Sequence, residues 1–205
     1  MILHDFELSA DCYKLRLFLA ILGVRYEVVP VDVFPGREHE SEAFRQLSPN
    51  GTVPVLDIDG VMWTDPEATL VHLAHSYGAI AWRDASDLTR WLATAKRLGA
   101  SAGRARLTVN FGYDHDLAAL QHAAHIELRT IDEHLWFGER EGRDWLSASA
   151  HPTIADIACF PDIALCEEGG ISRQDYPAIR RWLDRVKRIE GFTTMSGVFP
   201  TAFAI

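Results

Sequence analysis

The order of strand and helix patterns in residues 1–78 constrains the fold of this chain more than any other feature. Short apolar or β-branched stretches alternate there with helical periodicity, in the order strand, helix, strand, helix, strand, strand, helix. They cover residues 1–6, 11–22, 25–31, 40–47, 53–58, 61–63 and 65–77. A strand-helix-strand unit predicts two parallel strands joined by a right-handed crossover. Asp59 and Gly60 predict a two-residue turn that joins the last two strands as an antiparallel hairpin.

Together these elements predict a mixed four-stranded sheet with three helices, which is a thioredoxin-like α/β arrangement. The pattern changes after Gly78, where only helical periodicity continues, over residues 84–110, 114–136, 153–168 and 176–189. We therefore predict a thioredoxin-like domain at 1–78, a linker at 79–84 and an all-helical domain at 85–205.

Composition excludes several classes of partner. The formal net charge of −9 disfavours nucleic acid, because phosphate binding needs clustered Lys and Arg. No apolar run approaches the roughly 20 residues that span a bilayer, and the first residues lack a basic leader before an apolar stretch. The three cysteines form no Cys-x-x-Cys pair, and such a sparse count suits a reducing compartment. We expect a cytoplasmic protein with no nucleic-acid or membrane partner.

Ser9 precedes the first predicted helix, where unpaired N–H groups and the helix dipole stabilise an anion. Its hydroxyl either caps the helix or donates a hydrogen bond to a bound thiolate. Lowering a thiol pKa from about 8.5 by about two units takes roughly 2.7 kcal/mol, which one or two hydrogen bonds to a charged group supply. Cys12 is either a nucleophile with a lowered pKa or a small packing residue, as Cys159 and Cys166 are expected to be.

Pro54 follows the turn sequence Ser-Pro-Asn-Gly at 48–51 and begins a predicted strand. Proline in this position is explained by an edge strand alone. A cis Val53–Pro54 bond would instead turn the N–H and C=O of Val53 outward, where an extended peptide pairs as an added strand. The local sequence leaves both hypotheses open.

Acidic residues and histidines on the predicted helices have competing interpretations. Asp65 and Glu67 complement the dipole at the start of the third helix, or Asp65 faces a ligand ammonium group. Thr153 and Asp156 have capping-box spacing, which indicates a folding element. Two histidine pairs at i, i+3 lack a carboxylate in a recognised metal motif, so we expect no metal site. These pairs are His72 with His75 and His122 with His125.

Taken in order, these segments resemble the glutathione S-transferase superfamily over nearly the whole chain, and in particular its serine-type, bacterial members. The resemblance rests on four segments, which lie at 9–17 (Ser-Ala-Asp-Cys-Tyr-Lys-Leu-Arg-Leu), 48–56 (Ser-Pro-Asn-Gly-Thr-Val-Pro-Val-Leu), 63–70 (Trp-Thr-Asp-Pro-Glu-Ala-Thr-Leu) and 153–156 (Thr-Ile-Ala-Asp). It implies the glutathione transferase fold. Because the family is commonly dimeric, it also implies a homodimer.

The resemblance further implies glutathione as co-substrate, with a role for each matched residue. Ser9 would be the catalytic residue and would hydrogen-bond the thiolate. Val53 would pair with the cysteinyl backbone, and Asp65 would hold the γ-glutamyl end. The whole implied glutathione set is Asp11, Cys12, Arg37, His39, Thr52, Val53, Pro54, Asp65, Pro66 and Glu67, with Arg37 or His39 at the glycyl carboxylate. The implied second-substrate set, for an electrophile against the helical part, is Arg104, Phe111 and Tyr113.

Pro66 departs from the family pattern, which has a serine whose hydroxyl and N–H both reach the γ-glutamyl carboxylate. Proline has neither donor. The lost charge-assisted hydrogen bond is worth roughly 1.5–3 kcal/mol, or about 10- to 100-fold in affinity, unless the Glu67 N–H replaces it. Asp11 is a second departure, because a carboxylate beside a thiolate opposes its ionisation unless it points away.

Three functions fit this pattern. The leading one is an enzyme that adds the glutathione thiolate to a small hydrophobic electrophile or displaces a leaving group. The second is a glutathione-dependent reductase of disulfides or peroxides, with the bound tripeptide as the redox thiol. The third is a non-catalytic interaction module with a degenerate glutathione site, an idea that Pro66 motivates. The sequence does not identify the electrophile, because apolar residues that line a pocket show the same pattern as apolar residues of the core.

Overall fold

The computed structural model describes residues 1–195, and its first part is built around a mixed sheet of four strands. The strands are β1 (Ile2–Asp5), β2 (Glu27–Pro30), β3 (Val55–Ile58) and β4 (Val61–Trp63). Their order across the sheet is β2-β1-β3-β4. Strand β1 is parallel to β2 and antiparallel to β3, and β3 is antiparallel to β4. Asp59 and Gly60 have φ angles of 53° and 86°, and positive φ at both central residues is what a tight type I′ hairpin requires.

Helices flank this sheet and make up most of the remaining described chain. The first part contains α1 (Ala10–Ile21), α2 (Glu42–Leu47) and α3 (Pro66–Ser76). The second part contains α4 (Leu88–Leu98), α5 (Arg104–Phe111), α6 (Leu117–Arg140), α7 (Ile154–Ala164) and α8 (Pro177–Val186). Within residues 1–195, no strand follows β4, and no helix has the length and apolar character needed to cross a membrane.

This architecture confirms the predicted fold class, a thioredoxin-like α/β part followed by a helical part. Each predicted strand and helix has an observed counterpart, with small shifts at its ends. The single helix predicted over 84–110 is wrong in one respect, because α4 and α5 are separated by a π-helical turn, Gly99–Gly103. The division into 1–78, 79–84 and 85–205 stays a prediction.

One hydrophobic core runs through both parts of the chain, because α1 and α3 pack against α7. Leu15 and Leu70 of the first part and Ile157 and Trp182 of the second part belong to it, and all four are inaccessible to solvent. Burying one such aliphatic side chain stabilises the fold by about 1.5–3 kcal/mol. The same contacts therefore stabilise the fold and hold the helical part against the sheet part.

The predicted capping box at the start of α7 is confirmed. The Thr153 N–H donates to Asp156 Oδ2 at 2.9 Å, and the Ala155 N–H donates to Thr153 Oγ1 at 3.2 Å. Asp156 Oδ1 also accepts the indole N–H of Trp182 at 2.8 Å. This buried carboxylate thus joins the start of α7 to α8, which is the structural role that its spacing indicated.

The π-helical turn Gly99–Gly103 allows α7 to approach the junction of α4 and α5. A Cβ atom on Gly103 would lie 2.8 Å from Asp162 Oδ1, which is too close for non-bonded atoms. A Cβ atom on Gly99 would lie 3.7 Å from Asp162 Oδ2, which is an ordinary contact. Position 103 therefore needs glycine because a buried carboxylate packs directly on the turn. Turns of this kind are frequent at functional sites.

Candidate functional site

A cavity of about 560 Å³ lies between the sheet part and helices α4 and α5. Its volume is within the range of about 300–1,000 Å³ that is usual for small-molecule sites. The first part contributes the β1–α1 turn with Ser9, the loop with His39, the turn with Val53 and the start of α3 with Asp65. The helical part contributes one face of α4, the π-helical turn, one face of α5 and Asp162 of α7.

Ser9 lies directly before α1 and lines the cavity. Its extended backbone (φ −79°, ψ 125°) and its Oγ, which accepts the Cys12 N–H at 3.2 Å, make it the N-cap of α1. The Ser9 hydroxyl also interacts with the buried Cys12 thiol, whereas within residues 1–195 no acceptor takes the N–H groups of Ala10 and Asp11. The cap and the predicted thiolate contact are therefore compatible, because one uses a lone pair of the oxygen and the other uses its hydrogen.

Cys12 is buried and does not line the cavity, although it was among the predicted site residues. Its Sγ accepts the Phe6 N–H at 3.4 Å. Burial, reinforced by the charge of Asp5, raises the pKa of the Cys12 thiol well above its ordinary value. A reactive cysteine needs a lowered pKa and access to its substrate. The structure therefore favours the packing interpretation of Cys12.

The Val53–Pro54 peptide bond is cis, as the second hypothesis for this turn required. Val53 lines the cavity and Pro54 does not. Gly51, with φ +61°, brings this turn against the neighbouring loop, since a Cβ atom on it would lie 2.8 Å from the carbonyl oxygen of His39. The Val53 backbone and His39 therefore have fixed positions relative to each other on one wall of the cavity.

Arg37 and His39 were alternative partners for one ligand carboxylate, and the structure separates them. His39 lines the cavity. Arg37 does not. Its side chain is 70% exposed and pairs with Glu40 at 2.6 Å, because Arg37 and Glu40 lie three residues apart on the outer face of a short turn. Of the two candidates, only His39 has access to the cavity.

Asp65 caps α3 and also pairs with a residue of α4. Its Oδ1 accepts the Ala68 N–H at 2.8 Å, and its Oδ2 lies 2.6 Å from Lys96 Nζ. Partial burial raises the pKa of Asp65, but hydrogen bonds from Lys96 and from the N–H groups of Ala68 and Glu67 outweigh it and lower that pKa. Pro66, which does not line the cavity, has no N–H. The Glu67 N–H contributes to lowering the pKa of Asp65, and its replacement of the missing donor for a ligand carboxylate stays a prediction.

Lys14 is the centre of a buried ionic cluster on the cavity floor. Its side chain is only 1% exposed, and its Nζ lies 2.7 Å from Asp11, 3.1 Å from Glu67 and 3.3 Å from Asp162. These four residues come from α1, α3 and α7, and all of them line the cavity. The pairing of Asp11 with Lys14 reduces the expected conflict between Asp11 and an anion at Ser9, because its charge is shared with an ammonium group.

The excess of carboxylates in this cluster raises the pKa of both Lys14 and Asp162. Burial lowers the pKa of Lys14, but Asp11, Asp162 and Glu67 together raise it well above its ordinary value, so Lys14 is charged. Burial raises the pKa of Asp162 to about 6, with Asp11 and Glu67 adding to the effect and Lys14 opposing it. Asp162 therefore gains a proton as the pH falls below neutrality, at a pKa above that of an ordinary carboxyl group.

Arg106 of α5 joins the helical part to the turn that carries Ser9. The Arg106 Nη1 donates to the carbonyl oxygen of Leu8 at 2.5 Å, and its Nε donates to Glu168 Oε2 at 2.5 Å. Both charged side chains of this pair are almost completely buried. The backbone immediately before Ser9 is therefore fixed by a residue far along the chain.

Aromatic side chains form the cavity wall opposite the ionic cluster. The ring of Phe111 lies 6.0 Å from that of Phe6, 4.9 Å from that of Phe34 and 6.5 Å from that of Tyr113, measured between centroids. Phe34 and Tyr113 are partly exposed, so apolar ring surface remains available to a ligand. Arg104 lies two helical turns before Phe111 on the same face of α5, and within residues 1–195 its guanidinium has no hydrogen bond or ion pair.

The cavity brings together most of the predicted site residues. Those that line it are Ser9, Asp11, His39, Thr52, Val53, Asp65, Glu67, Arg104, Phe111 and Tyr113. Those that do not are Cys12, Arg37, Pro54 and Pro66. Lining residues that the sequence did not indicate are Phe6, Lys14, Phe34, Lys96, Arg106 and Asp162. The described residues contain no group of three or more side chains that could hold a metal ion. The roles of the predicted residues stay predictions.

Comparison with known proteins agrees with this fold. Residues 3–80 match the family model described as glutathione S-transferase, N-terminal domain. The structure superposes with a TM-score of 0.84 on a possible glutathione S-transferase from Rhodopseudomonas palustris, at 26% identity, over 95% of this chain and 97% of that one. The match over residues 3–80 and the structural likeness over 95% of the chain support a place in the glutathione S-transferase superfamily.

Two curated relatives have different activities in their names. The maleylacetoacetate isomerase of Pseudomonas aeruginosa is 26% identical over 201 residues, which cover 90% of each chain. The disulfide-bond oxidoreductase YfcG of Escherichia coli is 24% identical over 89% of this chain and 88% of that protein. These relatives support a glutathione-dependent enzyme without fixing its reaction, and the serine-type assignment stays a prediction.

Proposed function

We propose that this protein binds glutathione as co-substrate and adds its thiolate to an electrophilic carbon, with Ser9 as the residue that stabilises the thiolate. The observation that carries this proposal is the geometry of Ser9. Its oxygen caps α1 with a lone pair and its side chain lines the cavity, so its hydroxyl hydrogen, which interacts with the Cys12 thiol, can turn to a bound thiolate.

The electrostatics of the β1–α1 turn favour an anion beside Ser9. The hydroxyl of Ser9, the N–H groups of Ala10 and Asp11 and the dipole of α1 all offer partial positive charge at one point. The carboxylates around Lys14 act in the opposite direction. Because a charge-assisted hydrogen bond is worth roughly 1.5–3 kcal/mol, one such bond offsets the roughly 2.7 kcal/mol that two pKa units require.

The rest of the tripeptide has matching groups along the cavity. The backbone of Val53 pairs with the extended cysteinyl residue, in the way that peptides add to an open strand. His39 binds the glycyl carboxylate, and Asp65 binds the γ-glutamyl ammonium group. This arrangement uses only residues that line the cavity and directs the cysteinyl sulfur toward Ser9.

The second substrate binds against α5. The rings of Phe34, Phe111 and Tyr113 accept an apolar, flat group, and the guanidinium of Arg104, which lines the cavity, accepts an anionic group. We therefore propose an electrophile that combines an apolar part with a carboxylate, in place of a purely hydrophobic one.

Isomerisation is a second candidate reaction, and Arg104 favours it. Addition of the thiolate to a carbon–carbon double bond conjugated to a carbonyl gives a single bond about which the product rotates. Loss of the same thiolate then restores the double bond in the other geometry, so glutathione is regenerated. This sequence shares its first step with transfer. It also agrees with the maleylacetoacetate isomerase name of a relative.

Glutathione-dependent reduction and a non-catalytic role are the remaining alternatives. The oxidoreductase name of one relative motivates the first, in which the bound tripeptide supplies the thiol because all three cysteines of the chain are buried. Pro66 motivates the second. Turnover of a disulfide, of an aryl halide and of a cis-configured unsaturated carboxylic acid, measured side by side, separates these functions. No turnover of any of them would favour the non-catalytic module.

The Ser9→Ala variant tests the proposal, and Ser41→Ala is its matched control. Both serines are N-caps that accept an N–H three residues on, at 3.2 Å for Ser9 and 3.1 Å for Ser41. Each substitution should cost about 1 kcal/mol of stability. Only Ser9→Ala should raise the pKa of the bound glutathione thiol, measured by thiolate absorbance against pH, and lower turnover about 10- to 100-fold.

Two results would contradict the proposal. The first is no glutathione binding to the wild-type protein in a calorimetric titration at millimolar concentration. The second is equal turnover and equal thiol pKa in the Ser9→Ala and Ser41→Ala variants. We also propose a cytoplasmic homodimer, for which sedimentation should give twice the mass of one chain.

A further inference from the structure

The ion pair between Lys96 and Asp65 lies at the end of the cavity where α3 begins. Lys96 Nζ and Asp65 Oδ2 are 2.6 Å apart, and both residues line the cavity. The two side chains are 55% and 46% exposed, so a ligand reaches both charges from solvent. An ion pair this exposed contributes little to stability, about 0–1 kcal/mol, and separating its members costs correspondingly little.

The helix end beside this pair has no donor left for an anion. Pro66 has no N–H, and the N–H groups of Glu67 and Ala68 interact with the Asp65 carboxylate. The next N–H, that of Thr69, donates to the Asp65 carbonyl oxygen at 2.9 Å. An anionic ligand group at this end of the cavity must therefore bind to a side chain.

Lys96 is the cation that meets this requirement. Lys14 is buried and surrounded by three carboxylates, and Arg104 extends from α5, beyond the π-helical turn. Lys96 is more than half exposed, and its ion-pair partner among residues 1–195 is Asp65. The nearby Glu67 would repel a ligand carboxylate, so a cation here is needed for a carboxylate to bind at all.

We infer that Lys96 and Asp65 together form a receptor for an α-amino-acid zwitterion, namely the α-carboxylate and α-ammonium of the γ-glutamyl residue. The ammonium replaces Lys96 at Asp65 Oδ2, while Oδ1 keeps the cap of α3. The carboxylate pairs with the released Lys96 ammonium. One ion pair becomes two, every charge stays paired, and no proton moves. This inference rests on the proposed binding of glutathione, and it gives Lys96 the role that the absent serine at position 66 would have had.

Lys96→Met tests the inference, because it removes the charge and keeps the apolar stem. Lys187→Met is the matched control, since Lys187 is 51% exposed, pairs with Asp184 at 3.4 Å and does not line the cavity. Each variant is titrated with glutathione and with 4-aminobutanoyl-cysteinylglycine, an analogue that lacks only the α-carboxylate. Lys96→Met should weaken glutathione binding about 10- to 100-fold and leave binding of the analogue unchanged. Lys187→Met should change neither.

A second measurement separates a ligand contact from a structural effect. In a Pro66→Ser background the serine supplies a new donor to the carboxylate, so Lys96→Met should weaken glutathione binding less than it does with Pro66 present. The inference is overturned if Lys96→Met weakens glutathione and the analogue equally, or weakens neither. If the wild-type protein binds no glutathione at all, the proposed function fails and this inference fails with it. If the wild-type protein does bind glutathione, either of the two overturning results refutes the role of Lys96 and leaves the proposed function intact.

Discussion

Asp162 has the most unusual electrostatic environment of the described side chains in the cavity. It is buried on α7, shares the ammonium of Lys14 with Asp11 and Glu67, and packs against the π-helical turn. Three carboxylates surround one ammonium, so the cluster carries excess negative charge in a region of low dielectric. Protonation of Asp162 relieves this excess, which explains why burial and its neighbours raise its pKa to about 6.

Asp162→Asn should remove a destabilisation that the Asp162 carboxylate causes at neutral pH and that mild acid relieves in the wild-type protein. Between an unfolded pKa of about 4 and the folded value of about 6, the folded protein binds more protons than the unfolded one, so this group lowers stability as the pH rises through that window. The stability of the variant relative to wild type should therefore rise by up to about 3 kcal/mol from about pH 4 to about pH 7 in urea unfolding. Asp184→Asn, at an exposed ion pair, should show no such trend. A flat difference for Asp162→Asn would contradict the shifted pKa.

The sequence reveals some of these residues and hides others, for a physical reason. Ser9 was identifiable because the helical periodicity that follows it shows that this serine lies at a helix N-terminus. Lys14 and Asp162 were not, because each looks like a polar position on its own helix, and only the packing of α1 on α7 brings them within 3.3 Å. The same holds for Lys96, whose partner Asp65 lies on another helix.

At the scale of the elements, the π-helical turn between α4 and α5 determines the shape of the cavity wall. It allows α4 to present Lys96 and α5 to present Arg104 on the same side. Gly99 and Gly103 both line this wall, and both face Asp162, but at different distances. The turn therefore contains two glycines of which only one is sterically required.

Gly103→Ala should destabilise the protein by about 1–2 kcal/mol, since its Cβ atom would lie 2.8 Å from a carboxylate oxygen that is itself buried. Gly99→Ala should be neutral or stabilising by up to about 1 kcal/mol, because alanine is the better helix former and the contact there is 3.7 Å. Thermal unfolding of both variants measures the difference. Equal effects of the two substitutions would show that Asp162 moves away freely.

The order of the elements was predictable because hydrophobic periodicity is a local property. Each strand and helix of the first part was recognisable from the apolar pattern of a few residues, and the Asp59–Gly60 turn indicated the hairpin. The π-helical turn was not predictable, because the apolar periodicity continues through it. The turn packs against the Asp162 carboxylate of α7, a contact between distant parts of the chain that the sequence does not reveal.

At the scale of the whole molecule, the two parts share one core and one ionic cluster. The hydrophobic cluster contains residues of α1, α3, α4, α6, α7 and α8. Lys14 adds a polar link at the centre of this contact, since its partners lie on α1, α3 and α7. Neither part buries its apolar surface without the other, so we expect them to unfold together.

Urea unfolding should therefore give one transition, with tryptophan fluorescence and far-ultraviolet circular dichroism coinciding. Lys14→Met should lower the free energy of unfolding by about 3–5 kcal/mol, because it leaves the buried carboxylates of Glu67 and Asp162 without their cation. The loss should be smaller when Asp162→Asn is combined with it. Lys187→Met, at an exposed position, should have little effect. Two separate transitions in the wild-type protein would contradict a shared core.

The contact of Arg106 with the carbonyl oxygen of Leu8 has a consequence for how this architecture can be recombined. The turn that presents Ser9 to the cavity is completed by a guanidinium from α5, and that guanidinium is in turn held by Glu168. A chimera that joins residues 1–84 to the helical half of a relative without this arginine would keep every residue of the sheet part. It would nonetheless lose the hydrogen bond from Arg106 to the carbonyl oxygen of Leu8, which fixes the backbone just before Ser9. The turn that carries Ser9 therefore keeps this support only when it is combined with its own helical half.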